Sequence, residues 1–197
     1  MINYTSIENY LSESDPILKG LIERFGLYTN QEIIVKQPFD SLVGTVISQM
    51  LSSSASSKIK KRLESLTSGR PFKPQIILNL GATKIKECGL SNSKIKTILA
   101  LAYEANQGNL DLEIFTVMSD EEVIGFLKSF WGIGQWTTEI FLMFTLNRKD
   151  ILPSNDAGLK RAHSRLYPTA SILAETAECW RPYRSIACWY LWKYIDN

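Results

Sequence analysis

Apolar residues return every three or four positions along almost the whole chain, and no segment alternates apolar and polar residues as a half-buried strand must. That regularity confines the fold to helices packed on helices. Leu42, Val43, Val46, Ile47 and Met50 fall on one helical face, with Asp40 or Ser41 placed to cap its start. After the serine-rich break at Ser52–Ser54, Ile59 and Leu63 mark a second helix, and Pro71 and Pro74 interrupt the pattern before Ile76–Leu80. Ser91 can cap a long helix through Ile95, Ile98, Leu99 and Ala102, which Gly108 closes. Ser119 and Glu122 form a capping box ahead of Val123, Ile124 and Leu127. A further long helix follows Gly134, with Trp136, Ile140, Phe141 and Phe144 on or near one side. Beyond the loop Asp150–Asp156, two or three more helices run to Tyr194. Helices of about ten to fifteen residues with short connections predict an all-α globule.

A chain of 197 residues fits one domain or two small lobes sharing a core, and 45% hydrophobic with 11% aromatic residues is enough to fill it. The net charge of +2 permits nucleic-acid binding without arguing for it. The Lys-Ile-Lys triplets at 58–60, 84–86 and 94–96 read as solvated lysines flanking buried isoleucines. Met1–Leu11 has no basic stretch followed by an apolar core, so it is not a secretory signal. Ile140–Leu146 is too short to cross a bilayer, so no membrane role is expected. Cys88, Cys179 and Cys188 are odd in number and lack CxxC spacing, which predicts reduced thiols in a cytoplasmic protein and no metal site.

The most informative stretch is FLKSFWGIGQWTT, residues 126–138. Two helices meet at Trp131-Gly132-Ile133-Gly134. Glycines one residue apart let the backbone take positive φ and approach a ligand closely, while Ile133 packs inward and pins the turn. The next helix then begins with several N–H groups pointing one way at the positive end of its dipole, an anion site that a DNA phosphate fits. On these residues alone, a tight corner between two helices with no ligand is an equal reading.

The wider run decides between them. GIGQWTTEIFLMF (132–144) followed by RKDILPSNDAGLKR (148–161) resembles the helix-hairpin-helix DNA glycosylase superfamily, down to the spacing between hairpin and aspartate. The likeness extends from about Phe39 to Tyr194. It takes in Phe39-Asp40-Ser41-Leu42-Val43 with Ile47-Ser48-Gln49, Gly89-Leu90-Ser91 with Lys94, and Leu152-Pro153 to Asp156. The final block, Trp180-Arg181-Pro182-Tyr183-Arg184-Ser185 with Trp192, is the one similar to the 3-methyladenine DNA glycosylase II branch.

The resemblance implies two helical lobes with the active-site cleft between them: one about 39–148, including the hairpin at 126–138, the other about 1–38 with 149–197. Some bacterial relatives carry an extra α/β domain in front, for which this chain has no room. Asp156 matches the catalytic aspartate. Read by itself, an Asp directly before the helical run Ala157–Leu166 is an ordinary N-cap, and the two roles are compatible.

Stretching a base–sugar bond develops positive charge on the sugar, which a neighbouring carboxylate stabilises while also orienting or deprotonating water. Alkylated purines such as 3-methyladenine and 7-methylguanine are already cationic, so one carboxylate suffices without a general acid. That suits a sequence whose single histidine, His163, has no evident partner and reads as a packing or surface residue. In bifunctional relatives a nucleophilic lysine stands two residues after the second hairpin glycine; here that place holds Trp136. No Schiff base is expected, so the enzyme is monofunctional and leaves an abasic site. Nor can Cys179 and Cys188 supply the four cysteines of an endonuclease III-like cluster.

The base must be flipped out to meet a carboxylate. The resemblance places Trp136 and Trp192 in the base pocket as stacking walls for a cationic base. Ile140, one turn after Trp136, departs from a relative's tyrosine, which puts the substrate range in doubt. Gln49 and Met50 align with the segment that fills the gap left by the flipped base, Met50 being suited as a wedge, although it also continues the apolar stripe of Leu42 and Val46. Lys58, Lys60, Lys61 and Arg62 read as a solvated face.

The DNA-contacting set is Gln49, Met50, Trp131, Gly132, Ile133, Gly134 and Thr137. The implied partner is double-stranded DNA containing alkylated bases, bound by a monomer in the cytoplasm, or at the nucleoid in a bacterium. No cofactor is required, and the hairpin is a candidate place for a monovalent cation. Two rival readings remain: a glycosylase for other damaged or mismatched bases, and a non-enzymatic helical DNA-binding module that uses only the hairpin.

Overall fold

The computed structural model describes residues 4–28, 37–169 and 172–197, and every regular element among them is helical. In chain order these are α1 Tyr4–Ser14, α2 Pro16–Phe25, α3 Pro38–Ser48, α4 Ser53–Leu66, α5 Pro74–Glu87 and α6 Asn92–Asn106. Next come α7 Leu112–Val117, α8 Asp120–Lys128, α9 Gln135–Phe144, α10 Ala157–Leu166, α11 Leu173–Thr176 and α12 Arg184–Asp196, with a 3₁₀ turn at Ala177–Trp180. None of these is long and apolar enough to cross a membrane. The chain divides into two compact units, one of Val35–Leu146 and one of Met1–Ile34 with Asn147–Asn197.

The 35–146 unit is built on α3, which packs against α4, α6 and α9. Leu42, Val43, Val46 and Ile47 are wholly buried, each worth ~1.5–3 kcal/mol relative to an exposed side chain. The cap expected of Asp40 or Ser41 is not there. Pro38 occupies the first helical position, where its missing N–H costs nothing, so the helix starts earlier, behind Gln37. Asp40, thus inside the first turn, turns its carboxylate to the Arg70 guanidinium and to the backbone N–H of Phe72 at 2.8 Å. It fastens the segment after α4 instead.

The caps expected of Ser91 and of the Ser119–Glu122 box are present. Helix α7, which the periodicity did not suggest, is six residues long, capped by Asp111 and anchored by the buried Phe115. Six residues are too few to show a helical period.

The second unit joins both ends of the chain. Asp15 caps α2 through Ile17 N–H and Leu18 N–H with one oxygen, and with the other accepts from Tyr167 Oη and the fully buried Trp180 Nε1, both at 2.7 Å. Burial and that neighbouring carboxylate push the Tyr167 phenol far above its ordinary range. Tyr190, also fully buried, donates to the Gly26 carbonyl at 3.0 Å and so ties α12 to the end of α2.

Candidate active site and DNA-contacting turn

The hairpin between α8 and α9 carries its strain at one residue. Gly132 has φ +81°, and a Cβ there would run into Thr97 Oγ1, so only glycine fits. Thr97, buried on α6, donates within 2.9 Å of the Trp131 carbonyl. The pair of positive-φ glycines expected from the sequence is therefore a single one. Gly134 is extended (φ −104°, ψ 179°), with nothing within 4 Å of where a Cβ would sit, and it precedes α9 with no side chain capping the helix start. Ile133 is buried and pins the turn. Trp131 is 63% exposed, with Lys96 Nζ 4.7 Å from its ring centre.

Gln49 lies against this turn. Its amide Nε2 donates to the Gly132 carbonyl at 3.0 Å and to Thr137 Oγ1 at 2.9 Å. Thr137 is buried, so its side chain braces the turn, as that of Ile133 does. Met50 follows α3 with φ +55° and a wholly exposed side chain. The apolar stripe of α3 ends before it, since the helix stops at Ser48 and Met50 lies in the turn that follows. Trp136 and Ile140 stand one turn apart on α9, both half-buried. Glu139 lies between them in sequence; burial raises its carboxyl above the usual range, offset in part by the Gln135 amide at 3.0 Å.

In the other unit, Asp156 caps α10 as its position suggests. Oδ1 accepts from the Leu159 N–H at 2.8 Å and from the Trp192 indole Nε1 at 2.9 Å. Trp192, placed in the sequence as a stacking wall, is thus also a direct partner of the carboxylate. Gly158 makes room for this contact: a Cβ there would lie 3.0 Å from Asp156 Oδ1 and 3.3 Å from the Trp192 ring.

The loop leading to Asp156 is clamped by the start of α12. Arg184 Nε and Nη2 donate to the Asp150 carboxylate at 2.7 and 3.0 Å, and Ser185 bonds to the backbone of Arg148, Lys149 and Ile151. His163 is not partnerless. Its Nε2 lies 2.8 Å from Thr176 Oγ1, its ring stacks on Tyr167, and burial lowers its proton affinity. No local pattern in the sequence marks the roles of Gly158, Thr97 or the Arg184–Ser185 clamp, because a partner 34 residues away leaves no periodic trace.

Among the described residues no group of three or more His, Cys, Asp or Glu could hold a metal ion. The hairpin carbonyls of Phe130, Trp131 and Gly132 already accept from Ile133 N–H, Thr97 Oγ1 and Gln49 Nε2.

Residues 43–182 match the model of the HhH-GPD superfamily base excision DNA repair proteins. The chain is 32% identical to DNA-3-methyladenine glycosylase 1 of Schizosaccharomyces pombe, over 96% of this chain and 86% of that one. It is 26% identical to DNA-3-methyladenine glycosylase 2 of Escherichia coli, over 78% and 56%. Its structure superposes on that of the Schizosaccharomyces pombe 3-methyladenine DNA glycosylase in complex with abasic DNA with a TM-score of 0.89 and 31% identity, covering 98% of this chain and 97% of that one.

Proposed function

The chain belongs to the HhH-GPD superfamily of base excision DNA repair proteins, and from that footing we propose that Asp156 is the carboxylate with which it excises alkylated purines. The activity is that of a monofunctional DNA N-glycosylase. A base of the 3-methyladenine or 7-methylguanine type is flipped from the duplex, the base–sugar bond is hydrolysed, and an abasic site remains. The observation that carries the reading is the seat of Asp156, a carboxylate at a helix N-terminus held by one backbone N–H and one indole N–H. Both donors fix the direction of the carboxylate, which the developing charge on the sugar requires.

Trp136, where a nucleophilic lysine would stand in bifunctional relatives, leaves water as the nucleophile. In this reading Trp136, Ile140 and Trp192 are the residues assigned to the flipped base, and Met50 is the wedge, its unbranched apolar side chain fully exposed. The uncapped start of α9 offers backbone N–H groups to a phosphate, with Trp131, Gly132 and Gly134 in the turn before it. The protein works as a monomer on double-stranded DNA, in the cytoplasm or at the nucleoid, and requires no cofactor. A monovalent cation at the hairpin would have to share carbonyls already hydrogen-bonded, and no step depends on it.

The test is release of free methylated base from alkylated duplex DNA by the wild type and by Asp156→Asn. The variant keeps the cap but not the charge. Excision should fall at least ~100-fold, the scale of losing one electrostatic stabiliser, with DNA binding retained. Near-normal excision by the variant would falsify the assignment.

A further inference from the structure

Helix α6 presents two side chains, one turn apart, to two different loops. Lys94 Nζ donates to the Ile47 carbonyl at 2.9 Å and to the Gln49 carbonyl at 2.6 Å, at the end of α3. Thr97 holds the hairpin through the Trp131 carbonyl. Gln49 closes the circuit, because its side chain donates to Gly132 and Thr137 while its own carbonyl is held by Lys94. Directly after Gln49 stands Met50, in the left-handed backbone region and with its whole side chain in solvent. A methionine has no intrinsic reason to adopt that conformation. The residue before it is held through both its side chain and its own carbonyl.

We propose that Lys94 and Gln49 are positioning residues for the wedge: they lock the turn at the end of α3 to the hairpin, so that Met50 is presented rigidly wherever the hairpin grips a phosphate. This rests on the reading of Met50 as the wedge. Lys94 is thereby an internal brace rather than a phosphate-binding lysine. Its ammonium sits at the negative end of the α3 dipole and satisfies two carbonyls that the helix leaves open. It is half-buried, and burial lowers its proton affinity. A wedge on a loose turn would cost ordering entropy at each insertion between bases, and the brace removes that cost before DNA is met.

The experiment compares single-turnover release of 7-methylguanine from two DNAs. In one the lesion is paired with cytosine in a duplex, and in the other it faces a one-nucleotide gap, where little opening is needed. Met50→Ala and Lys94→Met should each lower the duplex-to-gap rate ratio by about ten-fold, since only the paired base must be unstacked. The double variant should lose no more than Met50→Ala alone, because Lys94 acts through Met50. The salt dependence of duplex binding should be the same for Lys94→Met as for the wild type. If Lys94→Met does not fold, Gln49→Leu enters the same cycle.

Losses that multiply in the double variant, or a ratio untouched by Lys94→Met while Met50→Ala lowers it, overturn the brace alone. A salt slope reduced by about one in Lys94→Met would mean that it touches phosphate, which also overturns it. A ratio unchanged by Met50→Ala overturns the wedge reading itself, and the brace with it.

Discussion

In the proposed reading, Asp156 and Trp192, joined by a hydrogen bond, form the smallest unit of the site. The carboxylate needs a fixed direction from its neighbours, and the indole N–H at 2.9 Å supplies it. A stacking role for Trp192 uses the face of the ring, whereas this contact uses its edge, so the two can be separated by substitution. Trp192→Phe keeps an aromatic face and removes the N–H. Losing a hydrogen bond to a charged group costs ~1.5–3 kcal/mol, so single-turnover excision should drop roughly ten- to hundred-fold, with duplex affinity and melting temperature near the wild type. If Trp192→Phe excises normally while Trp192→Ala does not, the residue is a wall and not an anchor. Gly158 belongs to the same unit. It is a residue whose importance lies in an absent Cβ, next to a carboxylate that must be free to meet an indole.

At the scale of elements, the hairpin divides its work between two glycines that look alike in sequence. Gly132 is needed for conformation and for clearance from Thr97, whereas Gly134 is neither strained nor crowded. Substitutions there should therefore separate folding from binding. Aspartate is a favoured N-cap, so Gly134→Asp leaves the start of α9 intact or firmer, while placing a negative charge where a phosphate would sit. Melting temperature should hold or rise, and affinity should fall about ten-fold or more for all duplex sequences alike, since phosphate contacts carry no sequence information. The salt dependence of binding should flatten as the contact is lost. Unchanged affinity and slope in the folded variant would place the DNA grip outside this turn.

Over the whole molecule, the unit that carries Asp156 is closed by contacts between residues from opposite ends of the chain, such as Tyr190 with Gly26 and Asp15 with Trp180. His163 is buried in that unit, and its stability should report on pH. Its folded proton affinity lies below the ordinary value, so as pH falls the unfolded chain takes up the proton first. The stabilisation is complete above the ordinary histidine pKa of ~6.5 and is lost as pH drops through it toward the folded value. His163→Gln can keep a hydrogen bond to Thr176 without titrating, so its melting temperature should decline less than the wild type's between neutral and mildly acid pH. Equal declines would show that His163 is not the group responsible.

The sequence alone settled what depends on residues a few positions apart: the helical class, the capping box at Ser119, the turn between α8 and α9, and Asp156 ahead of α10. A helical period and a cap are closed within one or two turns, so their hydrogen-bond partners can be read directly. The likeness in residues 132–161 is what singled out the Asp156 cap for the chemical role proposed for it. Where local signals competed, as at Asp40 against Pro38, the backbone constraint of proline prevailed and the carboxylate went to Arg70. Only the tertiary structure decided the rest: Trp192 on Asp156 across 36 residues, Lys94 on Gln49 across 45, and Thr97 on Trp131 across 34. Those contacts depend on how far one helix slides and turns against another. That is fixed by how buried side chains fill the space between them, and no spacing along the chain records it.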